Sequence, residues 1–198
     1  MGNLASVRRA FEECGADAVL SDDPDQLAEA DRFVLPGVGA FGDGMTNLRD
    51  RGWVPKINAA LENPQVAMLG ICLGMQLLAT TGYEGGVTAG LDLVSGEVKR
   101  FEPPSPEIRV PHVGWNEVRP APETALFAGI PSGTDFYFVH SFHLIPAQAG
   151  STIALTPYCG EFTSAVGAKN VFGVQFHPEK SSRPGFRLLK NFLNFQPA

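Results

Sequence analysis

The sequence predicts an α/β fold, a doubly wound and mostly parallel sheet with helices on both faces, extended by antiparallel strands in the C-terminal half. Three observations predict it. Short apolar runs alternate with helical patterns through the first half of the chain. From residue 91 onward, strand-like runs follow one another, separated by turns rich in Gly and Pro. Between the two, Gln65-Val66-Ala67-Met68-Leu69 reads as a buried strand that leads through Gly70-Ile71-Cys72-Leu73-Gly74 into the helical Met75-Gln76-Leu77-Leu78-Ala79.

Each element has a local reason. Leu4, Val7, Phe11 and Cys14 make one helical stripe, with Asn3 as N-cap and Gly15 as terminator. Ala18 to Leu20 reads as a short strand. Asp23 to Ala30 reads as a helix with Pro24 in its first position. Arg32 to Leu35 is a strand ending in Pro36-Gly37-Val38-Gly39, and helices are predicted around 41–50 and 54–62. The second half supplies strands at Leu91 to Phe101, Ile108 to Arg119, Asp135 to Ile145, Thr152 to Thr156, Thr163 to Ala168 and Val171 to Phe176. A closing helix, Gly185 to Phe195, puts Phe186, Leu189, Phe192 and Leu193 on one side.

The chain opens on a helix, whereas such a fold usually opens on a strand. A strand of about five or six residues is therefore expected and missing ahead of Gly2, which would leave a pairing edge open.

One domain, 1–198, accommodates this length without repeat or linker. A net charge of −6 and the lack of a basic run argue against nucleic acid as the main partner. Three widely spaced cysteines read as reduced thiols. The chain carries no leader pattern and no membrane-length apolar run, so a cytoplasmic protein with no membrane partner is expected.

The chemistry centres on Cys72. In G-x-C-x-G at a strand-to-helix turn, the glycines let two backbones pass closely around a strained residue whose side chain projects from the sheet edge. A helix start favours thiolate there. A thiol nucleophile needs a base and a group that orients the base. His177, at the end of the apolar run Val174-Gln175-Phe176, is followed by Pro178 and Glu179, and residues two apart on an extended chain point the same way. A carboxylate there fixes the imidazole tautomer and stabilises the imidazolium.

Cys72 in GICLG with His177 and Glu179 in FGVQFHPEK resembles the triad of the class I glutamine amidotransferases, whose fold is flavodoxin-like. Finer motifs run along nearly the whole chain: Gly2-Asn3-Leu4 with Ser6-Val7, PGVGAF at 36–41 with Gly44-Met45, VPHVGWN at 110–116 and YFVHSF at 137–142. Together they resemble the glutaminase subunits of imidazole glycerol phosphate synthases in histidine biosynthesis. The resemblance implies hydrolysis of L-glutamine to glutamate and ammonia, without a cofactor. It also implies transfer of the ammonia to a docked (β/α)8-barrel cyclase subunit that makes imidazole glycerol phosphate and AICAR.

Position by position, it implies oxyanion donors at the Val38 and Leu73 N–H groups, with Gly37 and Gly39 of the same loop contacting substrate. Gln76, one helical turn past Cys72, and Glu84, for the α-ammonium, would contact substrate, with Ser141 and Phe142 holding the α-carboxylate. Asn3, Trp115, Asn116, Tyr137 and Lys180 match positions at the partner interface. Two alternatives stand beside this reading: a glutaminase of another pathway (anthranilate, cobalamin-precursor or pyridoxal phosphate synthesis), or a non-catalytic partner-binding module. No metal is expected, because His140 and His143, three apart on one strand, would face opposite sides. His112 is expected to be structural or interfacial, and Cys14 and Cys159 inert.

Overall fold

The computed structural model describes residues 4–196. Helix α1 (Leu4–Glu13) buries Val7, Ala10 and Phe11 and stops where Gly15 takes φ +95° and donates to the Glu12 carbonyl. Asn3 lies outside the described residues. A 3-10 turn at Pro24–Glu29 replaces the α-helix expected there. The Asp23 carboxylate caps it through Asp25 N–H, but none of its residues is buried, so no apolar face holds a longer helix together. Strand β1 (Arg32–Gly37), helices α2 (Phe41–Asp50) and α3 (Trp53–Leu61), and strand β2 (Ala67–Cys72) follow. Helix α4 (Leu73–Leu77) starts directly on β2. Two short strands the sequence did not announce, β3 (Thr81–Gly82) and β4 (Thr88–Ala89), precede β5 (Gly96–Arg100) and β6 (His112–Pro120). The chain ends through β7 (Thr134–His140), β8 (Phe142–Pro146), β9 (Thr152–Thr156), β10 (Phe162–Ala168), β11 (Val171–Val174) and α5 (Ser182–Leu193).

Among the described residues, seven strands form one sheet in the order β1-β2-β11-β10-β9-β6-β7, and β4-β3-β5-β8 form a second. The fold is α/β with a mixed sheet: β1, β2 and β11 are parallel, and the C-terminal half continues it antiparallel. Both faces of the large sheet are covered. Along β2, Leu69 and Ile71 join the core under α1 and α5, while Met68 joins the core under α2, α3 and α4. Full burial of each such side chain contributes about 1.5–3 kcal/mol. Leu188, not in the stripe expected for the closing helix, is buried there with Leu189 and Phe192.

Three strand expectations change. Ala18 to Leu20 is not a strand, because no neighbour among the described residues pairs with it. An open groove of about 1270 Å³, lined by Leu4, Val19, Val34 and Trp53 among others, separates it from the free edge of β1. Leu91 to Val94 is a turn that completes α4: Leu91 N–H donates to Leu77 O, and Leu93 and Val94 N–H both donate to Leu78 O. Asp135 to Ile145 is two strands in two sheets. The chain bends at Ser141, leaving β7 beside β6 and β8 beside β5.

The pairing of β2 with β11 places the chemistry. They are parallel, with Ile71 opposite Val174, so Cys72 and the segment 175–179 leave the same edge of the sheet side by side.

Candidate active site

Cys72 closes β2 at φ 55° and ψ −109°, outside the regions a non-glycine residue ordinarily adopts. The flanking glycines make this possible. A Cβ on Gly74 would lie 1.7 Å from the Leu35 carbonyl oxygen, and one on Gly70 would lie 2.6 Å from the Gly74 oxygen. Gly37 stands opposite Cys72 in the β1–β2 ladder, and its Cα faces Leu73 so closely that a Cβ would meet it at 3.1 Å. The turn therefore packs the helix start against the Pro36-Gly37-Val38-Gly39 loop, in which Gly39 takes φ +104°.

His177 and Glu179 are both almost wholly buried, and His177 Nδ1 lies 2.8 Å from Glu179 Oε1. The carboxylate accepts, so Nδ1 carries a proton and Nε2 points its lone pair, or a second proton, towards Cys72. Burial alone would lower the His177 pKa. Hydrogen bonding and charge from Cys72 and Glu179 outweigh it and raise the imidazole to about 9. Among the described residues neither Nε2 nor Glu179 Oε2 has a partner of full hydrogen-bonding geometry, although the Cys72 sulfur is near enough to Nε2 to raise its proton affinity. The thiol instead donates to Val139 O at 3.9 Å and accepts from Gln175 Nε2 at 3.7 Å. His177 Nε2 lies where a proton passes between imidazole and sulfur, and its raised affinity favours the proton on the imidazole.

The remaining expected residues divide. Gln76 is buried, and its Nε2 donates to Phe142 O at 2.8 Å and to Gln175 Oε1 at 3.1 Å, which links α4 to the Ser141-Phe142 segment. Ser141 O accepts from Phe101 N–H. Glu84 Oε2 accepts the Phe41 N–H at 2.7 Å and so caps α2. Trp115 and Tyr137 are paired across β6 and β7 with rings 6.1 Å apart, and Lys180 Nζ lies 5.6 Å from the Tyr137 ring. Asn116 faces the other way, into the molecule, where its Nδ2 donates to Pro157 O and meets His112 Nε2.

Two residues outside the expected set belong here. Gln175 is fully buried between Gln76 and Cys72, and its place two residues before His177 on an extended chain already put it on the same side. Ser181 Oγ donates to His177 O at 2.6 Å and accepts Tyr137 N–H at 3.1 Å. Nothing in its spacing announces that contact.

His140 and His143 correct the expectation of opposite faces. The bend at Ser141 brings both onto Phe101, with ring centroids at 5.2 and 4.5 Å. His140 spends both ring nitrogens on His112 and on Phe142 O. Among the described residues no three His, Cys, Asp or Glu side chains converge on a point that could hold a metal ion. Cys14 and Cys159 are free thiols whose pKa is pushed up by burial.

Residues 2–195 match the family described as glutamine amidotransferase class-I. Imidazole glycerol phosphate synthase subunit HisH of Moorella thermoacetica is 51% identical over 192 residues, covering 97% of this chain and 90% of that protein. The chain belongs to the HisH family of class-I glutamine amidotransferases. The HisH subunit of Caulobacter vibrioides is 46% identical over 202 residues, covering 99% of this chain and 95% of that one. Fold likeness reaches further. A glutamine amidotransferase crystal structure superposes with a TM-score of 0.75 at 19% identity, over 97% of this chain and 93% of that one. A glutamine amidotransferase structure from Thermotoga maritima gives 0.64 at 18% identity, over 95% and 76%. Like its HisH relatives, the chain is an enzyme of histidine biosynthesis, a glutamine amidotransferase subunit.

Proposed function

We propose that the chain hydrolyses L-glutamine through Cys72, His177 and Glu179. The observation that carries this is the strained Cys72 beside a buried imidazole whose far nitrogen is held by Glu179. His177 Nε2 takes the thiol proton, and the sulfur attacks the side-chain amide carbon. The tetrahedral oxyanion is received by Leu73 N–H, at the start of α4, and by Val38 N–H of the Gly37-Val38-Gly39 loop. Collapse breaks the C–N bond, the imidazolium gives its proton to the departing nitrogen, and ammonia leaves. Water, deprotonated by the same imidazole, attacks the thioester. Glutamate is released and the thiol regains its proton. Glu84 pairs with the substrate α-ammonium, and Ser141 and Phe142 backbone N–H groups hold the α-carboxylate. Gln76 stiffens that segment through its bond to Phe142 O.

The ammonia then passes to a (β/α)8-barrel cyclase subunit docked on the face that carries Trp115, Tyr137 and Lys180. Support comes from the exposure of apolar side chains on this face: Trp115, Val113 and Val139 are 54%, 57% and 38% exposed. His177 N–H donates to Tyr137 O, so the docking face and the base share a main-chain contact. Glutamate release measured with and without the cyclase and its ligand tests the reading. Strong stimulation is expected, abolished in Cys72→Ala with partner binding intact. No glutamate under either condition would leave only a binding module, and hydrolysis surviving in Cys72→Ala would remove the nucleophile.

A further inference from the structure

His112 and His140 lie side by side between β6 and β7, directly opposite in the ladder, and neither takes part in the chemistry above. Both are buried, at 4% and 6% exposure, among Phe101, Phe138 and Phe162. Three polar contacts run through them in a line. Asn116 Nδ2 lies 3.2 Å from His112 Nε2, His112 Nδ1 lies 3.0 Å from His140 Nε2, and His140 Nδ1 lies 2.8 Å from Phe142 O. Gln76 Nε2 supplies the second donor to that oxygen, at 2.8 Å.

The direction of every bond in the line is fixed from both ends. A carbonyl only accepts, so His140 Nδ1 carries the hydrogen and its Nε2 accepts. His112 Nδ1 must therefore donate, which leaves His112 Nε2 as an acceptor. From the other end, Asn116 Oδ1 accepts Glu117 N–H at 2.9 Å, so the atom facing His112 is the amide nitrogen, a donor. The two deductions agree. Burial holds both imidazoles neutral at pH 7, so neither ring places a second hydrogen in the line.

What the line holds is the pocket wall. Phe101 N–H donates to Ser141 O, which makes Arg100 and Phe142 a pair without mutual bonds and turns the N–H and C=O of Phe142 away from β5. The Phe142 carbonyl, filled by His140 and Gln76, holds the peptide that follows Phe142. The Phe101 bond to Ser141 O holds the preceding peptide, whose Phe142 N–H lies on the open edge of β8.

We propose that His112 and His140 are positioning residues, a one-way hydrogen-bond relay from Asn116, next to exposed Trp115, to the carbonyl of Phe142, the residue whose N–H meets the glutamine α-carboxylate. The relay rests on the glutaminase reading only in this last step.

Two measurements test it separately. Nitrogen-15 NMR of the imidazoles in the intact chain reads the tautomers without any activity: Nδ1-protonated rings are expected for both His112 and His140, and an Nε2-protonated ring at either removes the relay. Kinetics of the complex with its cyclase and the cyclase ligand test the role. His140→Leu is expected to raise KM for glutamine about tenfold with kcat within about twofold. His140→Asn, which keeps a donor at the Nδ1 position, should recover most of the loss. L-Glutaminamide, which has no α-carboxylate, should show no such penalty. His112→Leu, the fallback if His140→Leu does not fold, should raise KM about threefold. An unchanged KM, an equal penalty on the amide substrate or no rescue by Asn would overturn the assignment. Expected tautomers in a wild-type complex that releases no glutamate would sink the glutaminase reading and the assigned role, leaving only the hydrogen-bond line.

Discussion

His177 N–H donates to Tyr137 O at 2.9 Å, so the proposed base hangs from the strand that carries an exposed aromatic face. Ser181 completes the junction, with its Oγ donating to His177 O and accepting from Tyr137 N–H, wholly out of solvent. Ser181→Ala strands one buried donor, the Tyr137 N–H, and leaves His177 O with the Lys180 N–H alone. A loss of about 1–3 kcal/mol is expected in urea denaturation, with glutamate release falling as His177 loses its position. An unchanged denaturation midpoint would show that the hydroxyl is dispensable.

The His177 titration carries a sign. Its folded-state pKa, about 9, lies above the ordinary 6.5 although burial pulls the other way, because Cys72 and Glu179 favour the imidazolium. The protonated ring binds more tightly in the folded chain, so this stabilisation is complete below pH 6.5 and is lost as pH rises through about 9. Proton NMR of the ring should show the raised midpoint, and Glu179→Gln and Cys72→Ser should each lower it. A midpoint near 6.5 in the wild type would contradict the geometry.

The elbow gives a steric prediction with an internal control. A Cβ at Gly74 would sit 1.7 Å from the Leu35 oxygen, while one at Gly150 meets nothing within 4 Å. Gly74→Ala should cost about 3 kcal/mol or more, since neither backbone has room to move. Gly150→Ala should stay within about 0.5 kcal/mol. Thermal unfolding of the two proteins decides, and similar melting temperatures would show that the turn relaxes.

These contrasts mark how far residue pattern reaches. Period and caps located α2, α3, β9 and the run into Cys72 because each carries its own apolar alternation and its own stop. The His177-x-Glu179 pair was readable because two residues on an extended chain share a side. Ala18 to Leu20 failed because a strand exists only with a partner, and Leu91 to Val94 failed because their amides answer the end of α4. The break at Ser141 was invisible in a continuous β-prone run, and with it went the real neighbourhood of His140 and His143. The resemblance put Asn116 among the interface positions, and strand alternation turns its side chain inward beside exposed Trp115.

The free edge of β1 predicts a hydrogen-exchange pattern. Ala67 N–H donates to Asp31 O, which in a parallel ladder turns the Phe33 and Leu35 amides to β2 and leaves Val34 facing the groove. Pro36, with no N–H, falls on that same side, where a strand tolerates it. Val34 should exchange far faster than Phe33 and Leu35. Equal protection at all three would mean that something covers the edge.

Trp115 is the sharpest test of the docking face. It stands 54% exposed, edge-on to Tyr137, with Val113 and Val139 beside it on the outer side of β6 and β7. Large exposed aromatics at the centre of an apolar patch carry interface energy out of proportion to their area, commonly about 2 kcal/mol or more on truncation. Trp115→Ala should therefore weaken cyclase binding by roughly thirtyfold or more in calorimetry. The isolated chain should keep its stability within about 0.5 kcal/mol, because the side chain is more than half exposed. Binding within about threefold of wild type would move the cyclase to another face. It would also leave the junction of Tyr137 with His177 as a purely internal brace.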